Sequence, residues 1–295
     1  MAFVAGELGG GVGRVARVDA FAANVVYEVD AGGRQLFVKA SPSHDALRAE
    51  AWACARGADV GCAAPAVFAL GRLDTSTSMS AIIMSRLAGE PIAAGHAALR
   101  QVGIGLRRLH DLRLPGFGWL GEAVWDEADA FSLTHSSWLD FLHDICANVR
   151  RLAGRYVCAT AVAEAATAAI EAQADTLAHT DVGALCHGDL KPAHILVDGD
   201  RLSGVIDWGD AVAGDPAWDI ARFAHRADLG SLSLLLEGYA PEPAMVEQLT
   251  WRIPLYAALW MLVDALVAHN LGRHAQAPLN AAMGYLNQVP HEQRS

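Results

Sequence analysis

The sequence predicts an α+β chain: a small antiparallel sheet with one helix, then a larger, mainly helical half. Before Ser85 the apolar residues alternate in short β-rich runs. After it they recur at helical spacing, and one hairpin of two apolar runs interrupts the helices. Strands grouped first and helices second indicate an α+β architecture rather than alternating βα units. The 295 residues suffice for one large domain or two lobes and a substantial core.

Val12–Val18, Val25–Val29 and Gln35–Ala40 read as strands, with Asp30-Ala31-Gly32-Gly33 turning between the last two. Gly9-Gly10-Gly11-Val12-Gly13 completes neither a dinucleotide-binding nor a Walker pattern and reads as a flexible leader. Ser43 suits an N-cap for a helix that buries Leu47, Trp52 and Cys54 and ends at Gly57. Ala66–Leu70 and Met79–Met84 read as further strands around the polar loop Asp74–Ser78. Beyond Ser85, helices are expected over Ala94–His110, Ser137–Leu152 and the alanine-rich Ala159–Ala178. Asp215-Pro216 starts another helix with an acidic cap and proline in its first turn. The chain closes with Trp251–Asn270 and Pro278–Leu286.

The hairpin carries the chemistry. Asp189 sits on a turn, His194 follows shortly after, and Ile195–Val197 is a strand. The turn Asp198-Gly199-Asp200 leads to Leu202–Ile206, which returns Asp207 beside Asp189 and His194. Such a constellation suits magnesium-assisted phosphoryl transfer. Asp189 orients the attacking hydroxyl as a general base, while His194 and Asp207 hold metal. Only two lysines occur, Lys39 at a strand end and Lys191 two residues past Asp189. Both stand where phosphates are expected, so Lys39 is assigned to nucleotide binding with Glu50 holding it, and Lys191 to catalysis.

These residues also carry a resemblance. His187-Gly188-Asp189-Leu190, the run Ile195-Leu196-Val197-Asp198, Gly204-Val205-Ile206-Asp207-Trp208 and Gly214-Asp215-Pro216 with Asp219 resemble the aminoglycoside phosphotransferase family, from about Arg17 to the last helices. The resemblance implies a bilobal protein-kinase-like fold, with residues 1–84 as the nucleotide-binding lobe, 85–91 as a hinge and 92–295 as the catalytic and substrate-binding lobe. It implies ATP (or GTP) and magnesium as cofactors, and as acceptor a hydroxyl of an antibiotic, aminoglycoside-like or another cationic natural product. The backbone at Ser85 and Leu87 would then meet adenine. Ala20–Asn24 would cover the phosphates with Asn24 as its polar residue, or is an ordinary tight turn. His187, Asp215 and Asp219 take structural roles, Asp219 bracing the catalytic loop. Where the family usually has Asn, this chain has His194, as in the macrolide-phosphorylating branch. A macrolide kinase, a metabolic kinase of an amino alcohol or sugar, and a nucleotide-binding pseudokinase are the alternatives. Retention of Lys39, Glu50, Asp189 and Asp207 opposes the last.

A net charge of −11 disfavours nucleic acid and anionic membranes as partners, leaving a small-molecule substrate and a monomer as the expectation. Five cysteines without Cys-x-x-Cys spacing suit buried thiols in the cytoplasm. No signal-like N-terminus is visible, and the apolar segment Ile253–Ala268 is interrupted by Asp264 and too short to span a bilayer. Asp126, Glu127, Asp129, Asp140, Asp144, Asp210 and Asp264 are candidates for the substrate pocket. Asp210 is preferred for its place three residues past Asp207.

Overall fold

Alternating side chains of five strands build the first layer of the computed structural model, which describes residues 2–9, 11–18, 24–73, 78–126, 130–178 and 182–290. After α1 (Ala2–Leu8) come β1 (Val12–Val18), β2 (Val25–Ala31), β3 (Arg34–Ser41), α2 (His44–Asp59), β4 (Val67–Arg72) and β5 (Ser80–Ser85). The strands pair antiparallel in the order β1-β2-β3-β5-β4, with Lys39 on central β3 facing Val26 and Ile82 in register. One face of the sheet buries Val29, Leu36, Val38, Ala81 and Ile83 together with Val4 of α1. The leader expected around Gly9–Gly13 therefore follows a helix that covers apolar sheet surface, and Val12 and Gly13 already belong to β1. On the other face Leu47 of α2 joins Ile82 and Met84.

Ser43 caps α2 by accepting the Ala46 N–H at 3.1 Å. The helix does not stop at Gly57 but continues to Asp59. Gly57 is instead a contact surface: a Cβ there would stand 2.6 Å from the Trp208 indole. A glycine thus lets the hairpin region dock closely on the helix that carries Glu50.

The second half begins with β6 (Glu90–Pro91), α3 (Leu99–His110), β7 (Arg113–Pro115), β8 (Gly118–Trp119), β9 (Val124–Trp125) and β10 (Phe131–Ser132). It continues through α4 (Trp138–Arg150), α5 (Ala159–Glu171), α6 (Ala174–Leu177), β11 (Val182–Cys186), β12 (Ile195–Asp198), β13 (Arg201–Val205) and β14 (Val212–Gly214). It ends with α7 (Ala217–Arg226), α8 (Leu229–Tyr239), α9 (Pro243–Asn270) and α10 (Gln276–Leu286). Several boundaries differ from expectation. Residues 94–98 are not helical, and the Gly95 N–H is committed to Ser231 Oγ of α8. The alanine-rich stretch breaks after Glu171, where Gln173 is buried. The helix α8 was not anticipated, and α9 starts earlier, with Pro243 in its first turn. By length and composition α9 is long and apolar enough to cross a membrane, yet 56% of its most apolar window is buried inside the protein. It is the core helix of this half, packed on α4, α7 and α10.

Trp138 stacks on Phe141, and Trp218, Tyr256 and Trp260 interlock with them edge-to-face and tilted in that core. Beside them β7-β11-β14-β8 and β13-β12-β6 form two small antiparallel sheets. Their strand ends place two loops side by side, because Cys186 at the end of β11 pairs with Val212 at the start of β14. Residues 187–194 and 206–211 leave the sheets at one edge.

The Gly57 contact makes a stability prediction. Gly57→Ala should destabilise the protein by about 1–3 kcal/mol through overpacking against Trp208, read as a lower urea midpoint at unchanged m-value.

Candidate active site

The loop after β11 is shaped by a side chain on a different element. Asp219 in the first turn of α7 is fully buried, and its oxygens accept the N–H groups of His187 at 2.7 Å and Gly188 at 2.8 Å. His110 Nε2 lies 3.1 Å from Asp219 Oδ2, and its Nδ1 3.0 Å from the Tyr239 hydroxyl. Gly188 adopts φ +85°, and a Cβ there would fall 1.6 Å from the Asp210 carbonyl oxygen. Only glycine permits both the turn and this approach. His187 Nδ1 accepts the Asp189 N–H at 3.2 Å, so its Nε2 carries the proton and donates to Ile206 O at 3.0 Å. The imidazole thereby ties the loop of Asp189 to the backbone that precedes Asp207.

Asp189 is 5% exposed and uses both oxygens. Lys191 Nζ donates to Oδ2 and Arg222 Nε to Oδ1, each at 2.7 Å. Burial raises the pKa of this carboxyl, but Arg222 and Lys191 outweigh it and hold the group below the usual carboxylate range. His194 Nδ1 lies 3.1 Å from the Asp189 carbonyl oxygen, which can only accept, so the proton sits on Nδ1. Its Nε2 lone pair then faces Asp207 Oδ2 at 3.4 Å. Burial pushes His194 down to about 4, keeping it neutral near pH 7. One ligand atom from each of Asp189, His194 and Asp207 lies within 4.8 Å of the others.

Asp207 stands at φ +66°, a left-handed conformation that costs a non-glycine residue about 1–3 kcal/mol. Its Oδ1 lies 3.6 Å from Lys39 Nζ, and Lys39 Nζ reaches Glu50 Oε2 at 2.8 Å. Burial alone would lower the Lys39 pKa, but Glu50 and Asp207 raise it above the ordinary value and keep the ammonium charged. Sheet, α2 and hairpin therefore converge on one row of charges.

A cavity of about 970 Å³ opens beside this row. Asp189, Lys191, Asp207 and Asp210 line it, and α4 and α9 contribute Asp144 and Asp264.

Comparison with known proteins decides the family. The model of the phosphotransferase enzyme family matches residues 15–247. The chain belongs to the phosphotransferase enzyme family. Viomycin phosphotransferase of Streptomyces vinaceus is 28% identical over 205 residues, 66% of this chain and 66% of that protein. Protein LicA of Haemophilus influenzae is 29% identical over 119 residues, 36% of this chain and 44% of that protein. The chain thus spans less than two thirds of each of these curated relatives. Two solved structures share the protein-kinase-like fold. A thermostable mutant of aminoglycoside phosphotransferase APH(4)-Ia has TM-score 0.73 at 19% identity, covering 97% of this chain and 98% of that one. A putative fructosamine-3-kinase from Thermobifida fusca YX-ER1 has TM-score 0.73 at 24% identity, with the same coverage.

Within this family member, the remaining expected residues fall as follows. The Ser85 N–H donates to Ala66 O at 2.8 Å and its Oγ accepts the Ala66 N–H at 2.9 Å. Leu87 packs over Gly204 of β13. Asn24 leads into β2, while residues 20–23 of the expected phosphate loop lie outside the described residues. Asp215 Oδ1 accepts the Ala217 N–H at 2.9 Å, and Oδ2 takes the Tyr256 hydroxyl at 2.7 Å and Arg252. Asp126 is not among the cavity-lining residues; its Oδ1 accepts the Ala130 N–H instead. Asp140 likewise stands outside the cavity lining, on Ser136. Glu127 and Asp129 lie outside the described residues. Glu122 and Arg222 are among the cavity residues that were not expected from the sequence. For Arg222 a signal existed: it follows Asp219 by one helical turn, on the face that meets the loop.

Crowding by protein, with Asp189 and Asp207 nearby, pushes the Asp210 carboxyl up to about 6. A folded pKa above the ordinary value of about 3.9 means stability that is full below that pH and lost as pH rises through about 6. Asp210 is solvent-exposed, which screens the effect, so Asp210→Asn should stabilise the metal-free protein only slightly at pH 8 relative to pH 4, as measured by chemical denaturation at both pH values.

Proposed function

We propose that this phosphotransferase transfers the γ-phosphoryl group of ATP to a hydroxyl of a small, antibiotic-like molecule, which such modification inactivates. The observation that carries this reading is the meeting of Asp189, His194 and Asp207 beside the Lys39–Glu50 pair, with Asp189 and Asp207 lining a ligand-sized cavity. Residues 1–84 then bind nucleotide, 85–91 form the hinge, and 92–295 supply catalysis and the acceptor pocket. Similarity to a viomycin phosphotransferase favours an antibiotic acceptor, and the carboxylates Glu122, Asp144 and Asp210 in the cavity suit a cationic one. The fold shared with a putative fructosamine-3-kinase supports a sugar-derived acceptor as the second reading.

The residues fit a divalent cation. The His194 Nε2 lone pair and the Asp207 carboxylate are two acceptors facing each other, an arrangement that a shared cation satisfies. Asp207 would hold magnesium with His194 as its nitrogen ligand or through water, since magnesium prefers oxygen. When bound, the ion neutralises charge on the transferred phosphates.

The chain's own groups do the rest. Lys39, kept charged and aimed by Glu50, grips the α and β phosphates. Asp189 takes the acceptor hydroxyl proton as the oxygen attacks phosphorus and the bond to the leaving ADP breaks. Lys191, at 2.7 Å from the same carboxylate, supplies a cation beside the charge that develops in transfer.

The test is ADP release by purified protein with magnesium and ATP against aminoglycosides, peptide antibiotics, macrolides and phosphorylated-sugar precursors. With an accepted compound, Asp189→Asn should lower turnover by about 10²–10⁴-fold while ATP affinity by nucleotide displacement stays within about threefold. Turnover within tenfold of the parent would remove Asp189 from its role. His194→Asn restores an oxygen donor and should retain at least about tenfold more activity than His194→Ala. Equal losses would show that the imidazole has another task.

A further inference from the structure

Arg222 is a buried cation that phosphoryl transfer as proposed above does not use. Its guanidinium makes hydrogen bonds through all three of its nitrogens. Nε donates to Asp189 Oδ1 at 2.7 Å, while Nη1 and Nη2 each meet an oxygen of Asp264 at 3.3 Å. Its flat face lies 4.2 Å from the Trp260 ring centroid. Asp264 is itself held from the solvent side by Arg226 at 3.0 Å. Three elements therefore fix one planar ion: α7 supplies Arg222 and Arg226, α9 supplies Asp264 and Trp260, and the loop after β11 supplies Asp189. A fork of this kind sets direction as well as charge, which a lysine ammonium cannot do.

The consequence falls on the Asp189 carboxylate. Left alone, it would turn about its terminal torsion and offer either oxygen, a motion that is broad and soft for aspartate. With Oδ1 bound to Arg222, the carboxylate plane is set, and Oδ2 lies on the side of Lys191 at 2.7 Å and His194 Nδ1 at 3.6 Å. We propose that Arg222 is the positioning residue of the general base: wedged between Asp264 and Trp260, it locks Asp189 so that Oδ2 is the oxygen presented to the acceptor. This rests on Asp189 being the base. The competing role, a cation that only ties α7 to α9, requires no coupling to Asp189.

A double-mutant cycle separates the two. Phosphate release from radiolabelled ATP with magnesium, and water as acceptor, is measured for the parent, Asp189→Asn, Arg222→Gln and the double variant, alongside nucleotide affinity and melting temperature. Arg222→Gln should lower kcat by about 10- to 100-fold with the KM for ATP within about twofold. In the Asp189→Asn background the same substitution should cost less than about twofold, because the group it positions is gone. A loss of equal size in both backgrounds, or no loss in the parent, overturns the proposal. An Asp189→Asn variant as active as the parent instead defeats the assignment of the base itself, which the proposal needs. Should Arg222→Gln fail to fold, Arg222→Lys, which keeps charge and stem, is read in the same cycle with the same criterion.

Discussion

Two oxygens of one buried carboxylate hold the loop on which the chemistry of this protein stands. Asp219 has no contact with solvent, yet it receives two backbone N–H groups and a histidine nitrogen. A buried donor left unpaired costs about 1–3 kcal/mol, so the loop is bound to this geometry by a large penalty for leaving it. The first turn of α7 is also where a carboxylate is favoured by the helix dipole. From that anchor the order of events in space follows. His187 and Gly188 are pinned, Gly188 makes the left-handed turn, and Asp189 emerges toward the cavity with its direction already set. The three groups His110, Cys186 and Asp219 are close enough to hold a metal, but the hydrogen bonds of Asp219 and His110 already satisfy their polar atoms. They form a brace.

Around that fixed loop, opposing electrostatic demands are kept apart by a few ångströms. Asp189 is stabilised as an anion by two cations, whereas Asp210 nearby has no cation at hydrogen-bonding distance among the described residues and is driven toward its neutral form. His194 is kept neutral by burial although two carboxylates stand beside it. Asp207 is in a strained backbone conformation just past a hairpin whose register shifts between Leu196 and Val197. Strain, a lone pair facing a carboxylate and a raised acid do not stabilise a fold by themselves. They persist because the hairpin, β14 and α7 over-determine the backbone around them.

Much of this was legible in the sequence for a physical reason. The two apolar runs and the turn at Gly199 announce the hairpin that returns Asp207 to Asp189 and His194, whereas the register shift between Leu196 and Val197, which leaves Ser203 unpaired, breaks the alternation and was not legible. The strands β1–β3 and the cap at Ser43 were legible on the same grounds, being local. What escaped depends on contacts distant in sequence. Gly57 looked like a helix terminator because glycine often is one, and only the docking of Trp208 explains why the helix passes through it. The break at Gln173 and the late start of α3 likewise reflect packing against other helices, which overrides the high helix propensity of alanine. Asp144 was expected at the cavity, but Glu122 reaches it from a separate element, and no spacing along the chain announces that.

The role of α2 shows how sheet and hairpin act as one device. Lys39 lies on the central strand, but its direction comes from Glu50, and Glu50 is buried on a helix whose far end rests on Trp208. Trp208 is the residue next to Asp207, and its indole N–H is tied to Val205 O at 2.8 Å. A displacement of α2 along its axis would therefore act on both charged groups together: Lys39 through its ion pair, and Asp207 through the backbone that follows it. On the outer side Trp52 of the same helix packs on Trp125 and Phe131 of β9 and β10, closing the cluster from the second half of the chain. With aromatic contacts at Trp52 in its middle and at Gly57 in its last turn, α2 cannot swing away from the site without opening two apolar surfaces to water, each costly in proportion to its area. The Lys39–Glu50–Asp207 geometry is thus held by packing, and assembly of the site accompanies folding of the chain.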